Sequence, residues 1–233
     1  MSEPQIIYKY ISSMFKKKLN VNVLVTAGPT FEAIDPIRFI GNRSSGKQGI
    51  AIAKAFSEMG ANVTLILGPS SQKIPEHVKV INIETANDML DAVKKINNID
   101  VAICAAAVSD WAIKNPSKNK IKKNNKNFPE INFSLNPDIL AYISNQKSNR
   151  PKLVIGFAAE TNDLIKNAKD KLKSKKCDWI IANNVLDDSD IFGGENNTVT
   201  LITRDNIEPW DKCSKTDIAK KLSNKVIKEI LGS

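Results

Sequence analysis

Short apolar runs alternate with amphipathic stretches along most of this chain, and that alternation is what most limits its fold. Residues 21–26 (Val-Asn-Val-Leu-Val-Thr) are rich in β-branched side chains and predict a buried strand. The stretch that follows residue 46 has one apolar helical face, and residues 61–67 predict a second strand. That face consists of Ile52, Ala55, Phe56 and Met59. A strand, a helix and a strand over this distance predict a βαβ unit with parallel strands.

The alternation continues to the C-terminus. It predicts strands at 78–83, 101–107, 153–157, 179–182 and 199–203, and helices at 86–96, 137–145, 162–175 and 218–230. The expected fold class is therefore α/β, with a doubly wound, mostly parallel Rossmann-like sheet and helices on both faces. Such sheets bind ligands beyond the carboxyl ends of their strands. The last predicted strand follows a Gly193-Gly194 turn, so we expect an edge hairpin there, used in dimerisation.

The first twenty residues lack this alternation. They hold a basic run at 16–18 and one apolar helical stripe, formed by Ile6, Ile7, Tyr10 and Ile11. We interpret residues 1–20 as a linker or the end of a preceding domain, on which the stripe would pack. The alternative is a frayed N-terminus that packs on the main domain. Residues 21–233 are enough for one α/β domain with a full core.

Composition excludes several classes of function. The net charge is +9, but all except four of the 34 basic residues are lysine, whereas base recognition favours arginine. We therefore expect a small anionic substrate and no nucleic acid. No apolar run approaches the roughly 18 residues of a membrane span, and residues 1–4 do not begin a signal peptide. These two observations predict no membrane association and a cytoplasmic location.

The cysteines and the histidine exclude further chemistry. Three scattered cysteines are too few for a disulfide framework and do not form a C-x-x-C metal site. His77 is the single histidine and lies in a turn, so a surface position is the simpler interpretation. No Ser-His or Cys-His hydrolase is therefore expected.

Residues 41–48 (Gly-Asn-Arg-Ser-Ser-Gly-Lys-Gln) nearly match the P-loop pattern G-x-x-x-x-G-K-[ST]. The match fails because Gln48 has no hydroxyl for Mg²⁺, and because about fifteen residues separate the pattern from the preceding strand. Gly46 and Lys47 still begin a helix, whose free N–H groups and dipole attract phosphate. The alternative is a plain helix start, capped by one of the two preceding serines.

Two further features follow the predicted 101–107 strand. Asp110 lies beyond its carboxyl end, where a ligand contact is expected, although capping a helix is an equal alternative. Residues 114–127 hold six lysines, one proline and no acidic residue, and they predict a mobile loop. This loop could be a flap that covers phosphate or a solvated basic surface.

Several segments together resemble one family, the bacterial phosphopantothenate–cysteine ligase. This ligase is usually the C-terminal half of a bifunctional flavoprotein that also contains phosphopantothenoylcysteine decarboxylase. The resemblance extends from about residue 21 to the C-terminus, and its most specific part is the run at 35–47. The segments are Thr-Ala-Gly-Pro-Thr at 26–30, Asp-Pro-Ile-Arg-Phe-Ile-Gly-Asn-Arg-Ser-Ser-Gly-Lys at 35–47, Ala-Ala-Ala-Val-Ser-Asp-Trp at 105–111, Lys-Ile-Lys-Lys at 120–123, Asn-Pro-Asp-Ile at 136–139 and Gly-Phe-Ala-Ala-Glu-Thr at 156–161.

The resemblance implies a two-step ligation. The carboxylate of 4′-phosphopantothenate would attack the α-phosphorus of CTP, releasing pyrophosphate and leaving an acyl-cytidylate. The amine of L-cysteine would then displace CMP. The resemblance also implies Mg²⁺ on the triphosphate, a homodimer, and fusion to a flavin-dependent decarboxylase domain, with no flavin bound by the ligase domain itself.

The resemblance also assigns residues to roles. Asn42 would hold the acyl-cytidylate, Arg38 would serve the second step, and Lys120 would lie on the flap. The cytosine and ribose contacts would come from Cys104, Ala105, Ala106, Asp110 and Phe157. The triphosphate contacts would come from Pro137, Asp138, Ile139, Leu140, Lys171 and Lys175, the two lysines being one helical turn apart. Arg43 departs from the family pattern, which has a smaller polar residue or histidine there.

Two other functions are alternatives. An NAD(P)-dependent oxidoreductase would need G-x-G-x-x-G directly after the first strand, and residues 27–30 (Ala-Gly-Pro-Thr) lack it. A nucleotide- or RNA-binding module without catalysis would show steeply salt-dependent binding to long nucleic acids.

Overall fold

Eight strands form the central sheet of the computed structural model, which describes residues 19–122, 130–184 and 194–232. Four further strands form two small two-stranded sheets, and the strands described, in chain order, are Asn22–Ala27 (β1), Phe31–Ala33 (β2), Phe39–Gly41 (β3), Asn62–Leu67 (β4), Lys79–Asn82 (β5), Val101–Cys104 (β6), Trp111–Ile113 (β7), Phe133–Leu135 (β8), Leu153–Glu160 (β9), Trp179–Asn184 (β10), Asn196–Ile202 (β11) and Ile207–Ser214 (β12). The helices are Lys47–Glu58 (α1), Ala86–Lys94 (α2), Ile139–Ser144 (α3), Leu164–Lys175 (α4) and Lys215–Leu231 (α5).

The strand order is β12-β11-β10-β9-β6-β1-β4-β5. All pairs from β5 to β10 are parallel, whereas β11 is antiparallel to both β10 and β12. From β1 the chain builds outward through β4 and β5, then crosses back to β6 on the other side of β1. The switch point therefore lies between β1 and β6, and the carboxyl ends of these strands open a crevice there.

Helices cover both faces of the sheet. Helices α1 and α5 pack on one face, where Phe56 and Leu222 are fully buried. Helices α2, α3 and α4 pack on the other, where Met89 and Ile143 are buried. Each such side chain contributes about 1.5–3 kcal/mol through the apolar surface that it removes from water. The predicted fold class, a doubly wound and mostly parallel α/β sheet, is confirmed.

Two small hairpins were not predicted from the sequence. The segment after β1, expected to be a loop, contains the β2–β3 hairpin, whose Phe31 and Phe39 rings stack with centroids 3.9 Å apart. A second hairpin joins β7 to β8, and Trp111 contacts Phe133 edge-on. Strands of three residues are too short to show a period of two, so pairing between distant segments had to define them.

Two other expectations are corrected. The strand predicted at 101–107 ends at Cys104, although the amides of Ala105 and Ala107 still donate to the carbonyls of Thr26 and Gly28. The strand predicted at the edge, 199–203, corresponds to β11, which has a partner on each side. The outer strand of that hairpin is β12, and its register with β11 shifts between Asn197 and Val199.

Some predictions fall outside the described residues. They include the apolar stripe near the N-terminus and part of the lysine-rich loop, of which residues 114–122 are described. None of the helices in the described part of the chain is long and apolar enough to span a membrane.

Candidate active site

The crevice at the switch point is built from the segments that leave β1 and β6. The amide of Ala107 donates to the carbonyl of Gly28 at 2.9 Å, and the amide of Thr30 donates to the carbonyl of Ala107 at 3.3 Å. The hydroxyl of Thr30, which is fully buried, accepts from the amide of Ser109 at 2.9 Å. These bonds tie the two strand exits together, so the residues after them keep a fixed relation to one another.

Helix α1 begins against this crevice. Its N-cap is Gly46, in the left-handed region at φ 77°, and no side chain caps the helix. The N-cap is therefore not one of the two serines, although the Ser44 hydroxyl accepts from the Gly46 amide at 3.3 Å and the Ser45 hydroxyl accepts from the Lys47 amide at 3.5 Å. Gly49 lets the first turn lie on β1, since a Cβ there would stand 2.5 Å from the Cβ of Ala27. The sequence thus brings the N-terminus of α1 to the strand exits.

Asn42 reaches across from the β2–β3 hairpin to the exit of β6. Its side-chain amide donates to the carbonyl of Val108 at 2.9 Å. The residue is exposed, and a carboxamide has a second donor hydrogen and an acceptor oxygen. The bond fixes the direction of the Asn42 side chain while its remaining groups can meet a ligand in the crevice.

Arg38 and the lysine-rich loop also come together. Arg38 pairs with Asp35, and its guanidinium donates to the carbonyl of Ile121 at 2.9 Å. The Arg38 guanidinium, with the amides of Ile37, Ile121 and Arg38, holds the pKa of Asp35 well below its ordinary value. Lys120, next to Ile121, is exposed. Asn42, Arg38 and Lys120 are the three residues expected to act in catalysis. Hydrogen bonds join the segment of Asn42 to the crevice and the segments of Arg38 and Lys120 to each other.

Four of the residues expected to bind the nucleotide, Asp138, Phe157, Lys171 and Lys175, lie on the side of β6 away from β1. Lys171 donates to the carbonyl of Phe157 at 2.9 Å, and Lys175 pairs with Asp138 at 2.5 Å. Cys104 lies close enough to Asp138 and Lys171 for both charges to affect its thiol. Burial raises the pKa of Cys104 to about 12, so the thiol is protonated and cannot act as a nucleophile near neutral pH.

Asp138 has a second role, as the N-cap of α3. Its carboxylate accepts from the amide of Ala141 at 2.8 Å, so Pro137, Ile139 and Leu140 are held at the start of that helix. The buried Leu140 lies under Gly156, where a Cβ would stand 2.5 Å from its Cδ2. Helix α3 therefore lies directly on β9, with its N-terminus near Lys175.

Asp110 is exposed, and its carbonyl accepts from the amide of Asn136 at 3.0 Å. The amide group of Asn136 also donates to the carbonyl of Ser109 at 2.9 Å. These bonds bring residues 136–138 beside the exit of β6. Ala105 and Ala106 belong to the same exit, since their amides donate to the backbone and side chain of Thr26.

Lys47 pairs with Glu195 at 2.5 Å, at the start of β11. The Lys47 ammonium holds the pKa of Glu195 below its ordinary value. Lys215, which is buried, donates to the carbonyl of Gly194 at 2.6 Å, and burial followed by the charge of Lys47 lowers its pKa. The ammonium group of Lys47, which is expected to bind phosphate, therefore lies beside the carboxylate of Glu195. The sequence did not predict this pairing.

Three residues of this region were missed from the sequence: Asp35, Glu195 and Lys215. Asp35 and Glu195 lie in loops, and Lys215 is the first residue of α5. A charge at such a position is ordinarily solvated, so nothing local distinguished these residues. Among the described residues, no three His, Cys, Asp or Glu side chains cluster as ligands for a metal ion. His77 is exposed and lies in a turn, as expected.

Comparison with known proteins adds to this geometry. A family model described as the C-terminal domain of the DNA/pantothenate metabolism flavoprotein matches residues 19–230. The coenzyme A biosynthesis bifunctional protein CoaBC of Haemophilus influenzae is 40% identical over 233 residues, which are 97% of this chain and 57% of that protein. A cysteine/cysteine sulfinic acid decarboxylase of an unknown prokaryotic organism is 39% identical over 237 residues, covering 97% of this chain and 66% of the relative.

A solved structure is also similar along its whole length. The crystal structure of the C-terminal domain of coenzyme A biosynthesis bifunctional protein CoaBC superposes with a TM-score of 0.76 at 33% identity, covering 93% of this chain and 98% of that one. The chain thus matches a whole solved domain, but it spans about three fifths of the length of the curated relatives above.

Proposed function

The chain belongs to the family of DNA/pantothenate metabolism flavoprotein C-terminal domains, and from that membership we propose that it joins 4′-phosphopantothenate to L-cysteine with CTP. The reaction would proceed through an acyl-cytidylate, release pyrophosphate and CMP, and serve coenzyme A biosynthesis. The observation that best supports this is the bond from Asn42 to the carbonyl of Val108. It joins the most specific sequence motif, at 35–47, to the segment expected to bind the nucleotide.

In the first step, the substrate carboxylate attacks the α-phosphorus of CTP and the bond to pyrophosphate breaks. Such a transfer needs positioning and charge neutralisation more than a protein nucleophile, so a site without histidine suits it. Asn42 would donate to the acyl or phosphoryl oxygen on which negative charge grows. The N-terminus of α1, with Gly46 and Lys47, would receive phosphate.

The nucleotide would lie over the exits of β6 and β9. Carbonyl groups at Cys104, Ala105 and Ala106 could accept from the amino group of cytosine, since the amides of Ala105 and Ala106 are bonded to Thr26, and Phe157 and Asp110 would lie nearby. Lys171 and Lys175 now use Phe157 and Asp138 as partners, and we infer that the triphosphate takes over those ammonium groups. An exchange of this kind costs little, because one set of charge-assisted hydrogen bonds replaces another.

In the second step, the cysteine amine attacks the activated carbonyl, and CMP leaves. Arg38 and Lys120 would act here, since both are joined to the loop at 117–122. The triphosphate would carry Mg²⁺, which neutralises part of its charge. Phosphate oxygens and water are the usual ligands of Mg²⁺, so the residues described need to offer at most a carboxylate, and Asp138 is suitable.

A pyrophosphate-release assay tests the proposal. Phosphopantothenate is supplied with CTP, ATP, GTP or UTP in turn, with and without cysteine, and the products are identified by mass spectrometry. We expect pyrophosphate with CTP in the absence of cysteine, up to about one equivalent per site, and continuous turnover once cysteine is added. Absence of pyrophosphate release with every nucleotide would refute the proposal, and salt-dependent binding to RNA in its place would favour the binding module.

We also propose that the chain forms a homodimer through the exposed apolar surface of its two small hairpins. This surface consists of Ile37, Phe39, Trp111, Phe133 and Leu135, of which Leu135 is 83% exposed. The hairpins contact each other through β2 and β7, so the surface is continuous. Apolar patches of this kind usually mark interfaces. Because Arg38 adjoins Ile37, the dimer would bring a second copy close to the site.

Light scattering tests the dimer and its location. We expect Leu135→Glu to give monomers, and the control Ile207→Glu, on β12, to leave the dimer intact. The opposite pattern would instead support the edge hairpin predicted from the sequence. A monomeric wild-type protein with full activity at assay concentrations would refute the dimer.

We also propose that residues 21–233 form the ligase domain and that residues 1–20 connect it to a flavin-dependent decarboxylase domain. Both proposals are supported by the greater length of the relatives and by the bifunctional nature of one of them. Sequencing upstream of the Met1 codon tests them, since we expect an in-frame flavoprotein. A stop codon and a ribosome-binding site there would show the fusion to be wrong.

A further inference from the structure

Asp35 occupies the turn between β2 and β3 and is inaccessible to solvent, with a side-chain exposure of 0%. One carboxylate oxygen accepts from the amides of Ile37 and Arg38, both at 2.9 Å. The other accepts from Nε of Arg38 at 3.0 Å, from its Nη2, and from the amide of Ile121 at 3.1 Å. The two oxygens thus have different tasks: one closes the turn, and the other holds Arg38 and a distant loop.

Ile121 is held from both sides. Its amide donates to Asp35, and its carbonyl accepts from Arg38 at 2.9 Å. The amide of Ser117 adds a third bond to the same hairpin, to the carbonyl of Ile34 at 3.0 Å. The backbone around Lys120 is therefore held at two places. Ile121, the next residue, is hydrogen-bonded to both members of the Asp35–Arg38 ion pair, and Ser117, three residues earlier, is bonded to the backbone of Ile34.

These contacts point to a role that neither the sequence motifs nor the resemblance assigned. We propose that Asp35 is a positioning residue, which holds Arg38 and the loop carrying Lys120 in one geometry. Its catalytic consequence rests on the proposed function, but the anchoring of the loop does not. A displacement of about 1 Å can lower a rate by about 10²-fold, so a group that fixes two reacting side chains can matter without touching substrate.

The substitution Asp35→Asn separates the two tasks of the carboxylate. A carboxamide has one acceptor oxygen, which can stay on the turn amides. Its NH₂ group then faces Arg38 and the amide of Ile121, which are all donors. The turn keeps its bonds, whereas the loop loses its acceptor. Asp178→Asn is the matched control, since Asp178 likewise pairs with an arginine, Arg150, and accepts from an amide, that of Val154.

The first measurement needs no substrate. Hydrogen–deuterium exchange and limited trypsin cleavage are followed over residues 114–122 in wild type, Asp35→Asn and Asp178→Asn. We expect amide exchange in that segment to be about tenfold faster in Asp35→Asn, as when one hydrogen bond is lost, with faster cleavage after Lys118 and Lys120. The control should match wild type there. Unchanged exchange in Asp35→Asn would overturn the proposal.

The second measurement is of ligation. We expect kcat of Asp35→Asn to fall by about 10–100-fold, with KM for CTP changed much less, and Asp35→Glu to recover part of the loss because it restores the charge. Faster exchange together with wild-type kcat would overturn the positioning role. Faster exchange in the variant, with a wild-type protein inactive as a ligase, would support the anchor and refute the proposed function.

A second variant guards against misfolding of Asp35→Asn. Ile121→Pro removes the amide that Asp35 accepts from and leaves Asp35 itself unchanged. It also fixes φ at residue 121 and restricts the backbone of Lys120, but the change lies in a loop away from the core. We expect it to reproduce the faster exchange and the loss of kcat. Normal exchange and kcat in folded Ile121→Pro would overturn the proposal independently of Asp35.

Discussion

Replacing Asn42 by aspartate changes one amide into a carboxylate at the centre of the crevice. In the structure, the side-chain amide of Asn42 donates to the carbonyl of Val108 at 2.9 Å. The carboxylate cannot donate, so its oxygen would face that carbonyl oxygen and be repelled. The side chain would therefore turn away, and in the proposed mechanism its charge would lie beside the phosphate of the acyl-cytidylate.

Both effects act on the reaction rather than on the fold. Loss of one donor to a growing negative charge typically costs about 10²–10³-fold in rate, so we expect kcat to fall at least that much. Asn42 is exposed and outside regular strands and helices, so the free energy of unfolding should fall by no more than about 0.5–1.5 kcal/mol, which is what one hydrogen bond contributes. The variant should thus be folded and nearly inactive.

The matched control is Asn62→Asp. Asn62 is also exposed and also donates through its side chain, to Asn22 at 3.2 Å, but it lies at the amino end of β4. Ligation is followed by the formation of phosphopantothenoylcysteine, and stability by urea unfolding, in wild type and both variants. Near wild-type ligation by Asn42→Asp, or an equal loss in Asn62→Asp, would refute the assignment of Asn42.

Three other predictions follow from the site and from the packing around it. CTP should be preferred over ATP, because the backbone groups proposed to pair with cytosine would be left unpaired by another base. Equal kcat/KM values for the two nucleotides would contradict this. Arg150→Ala should lower the free energy of unfolding, measured in urea, by about 2–3 kcal/mol, because Arg150 donates to Asp178 and to the carbonyls of Ser144 and Lys176. A loss below about 0.5 kcal/mol would show that these hydrogen bonds contribute little to stability. Burial raises the pKa of Cys104 from 9.0 to about 12. The protonated thiol therefore stabilises the fold below about pH 9, and this contribution is lost as the pH rises towards 12. Between about pH 8 and 10, Cys104→Ser should lose less stability than wild type.

The long elements could be predicted because each carries its own period. The sequence placed β1, β4, β9 and the five helices to within a few residues, since their apolar faces repeat over enough positions to be recognised. The two hairpins were not predicted, because a three-residue strand is too short to show a period of two in its apolar residues. They are defined instead by contacts between segments, such as the stacking of Phe31 on Phe39. Local pattern therefore predicts the sheet and its helices, but not the small elements that shape the crevice.

The site shows the same limit. The position of Asp110 and of the 105–107 exit follows from the rule that ligands bind at the carboxyl ends of strands. Asp35 does not follow from any such rule, because its burial depends on Arg38 and on Ile121, which lies 86 residues later. The pairing of Lys47 with Glu195 is likewise between distant segments. Their contribution could be found only in three dimensions.

The outer strand β12 has a consequence for how the protein behaves when it is concentrated. Pro209 removes one N–H from this strand, the charged Asp211 and Lys212 are exposed along it, and its register with β11 is irregular. A strand with these features is a poor template for an incoming strand, because the row of backbone groups is interrupted and extended pairing would bring charges together. Growth of the sheet from one molecule into the next is therefore blocked at this edge, and fibre formation would have to begin elsewhere.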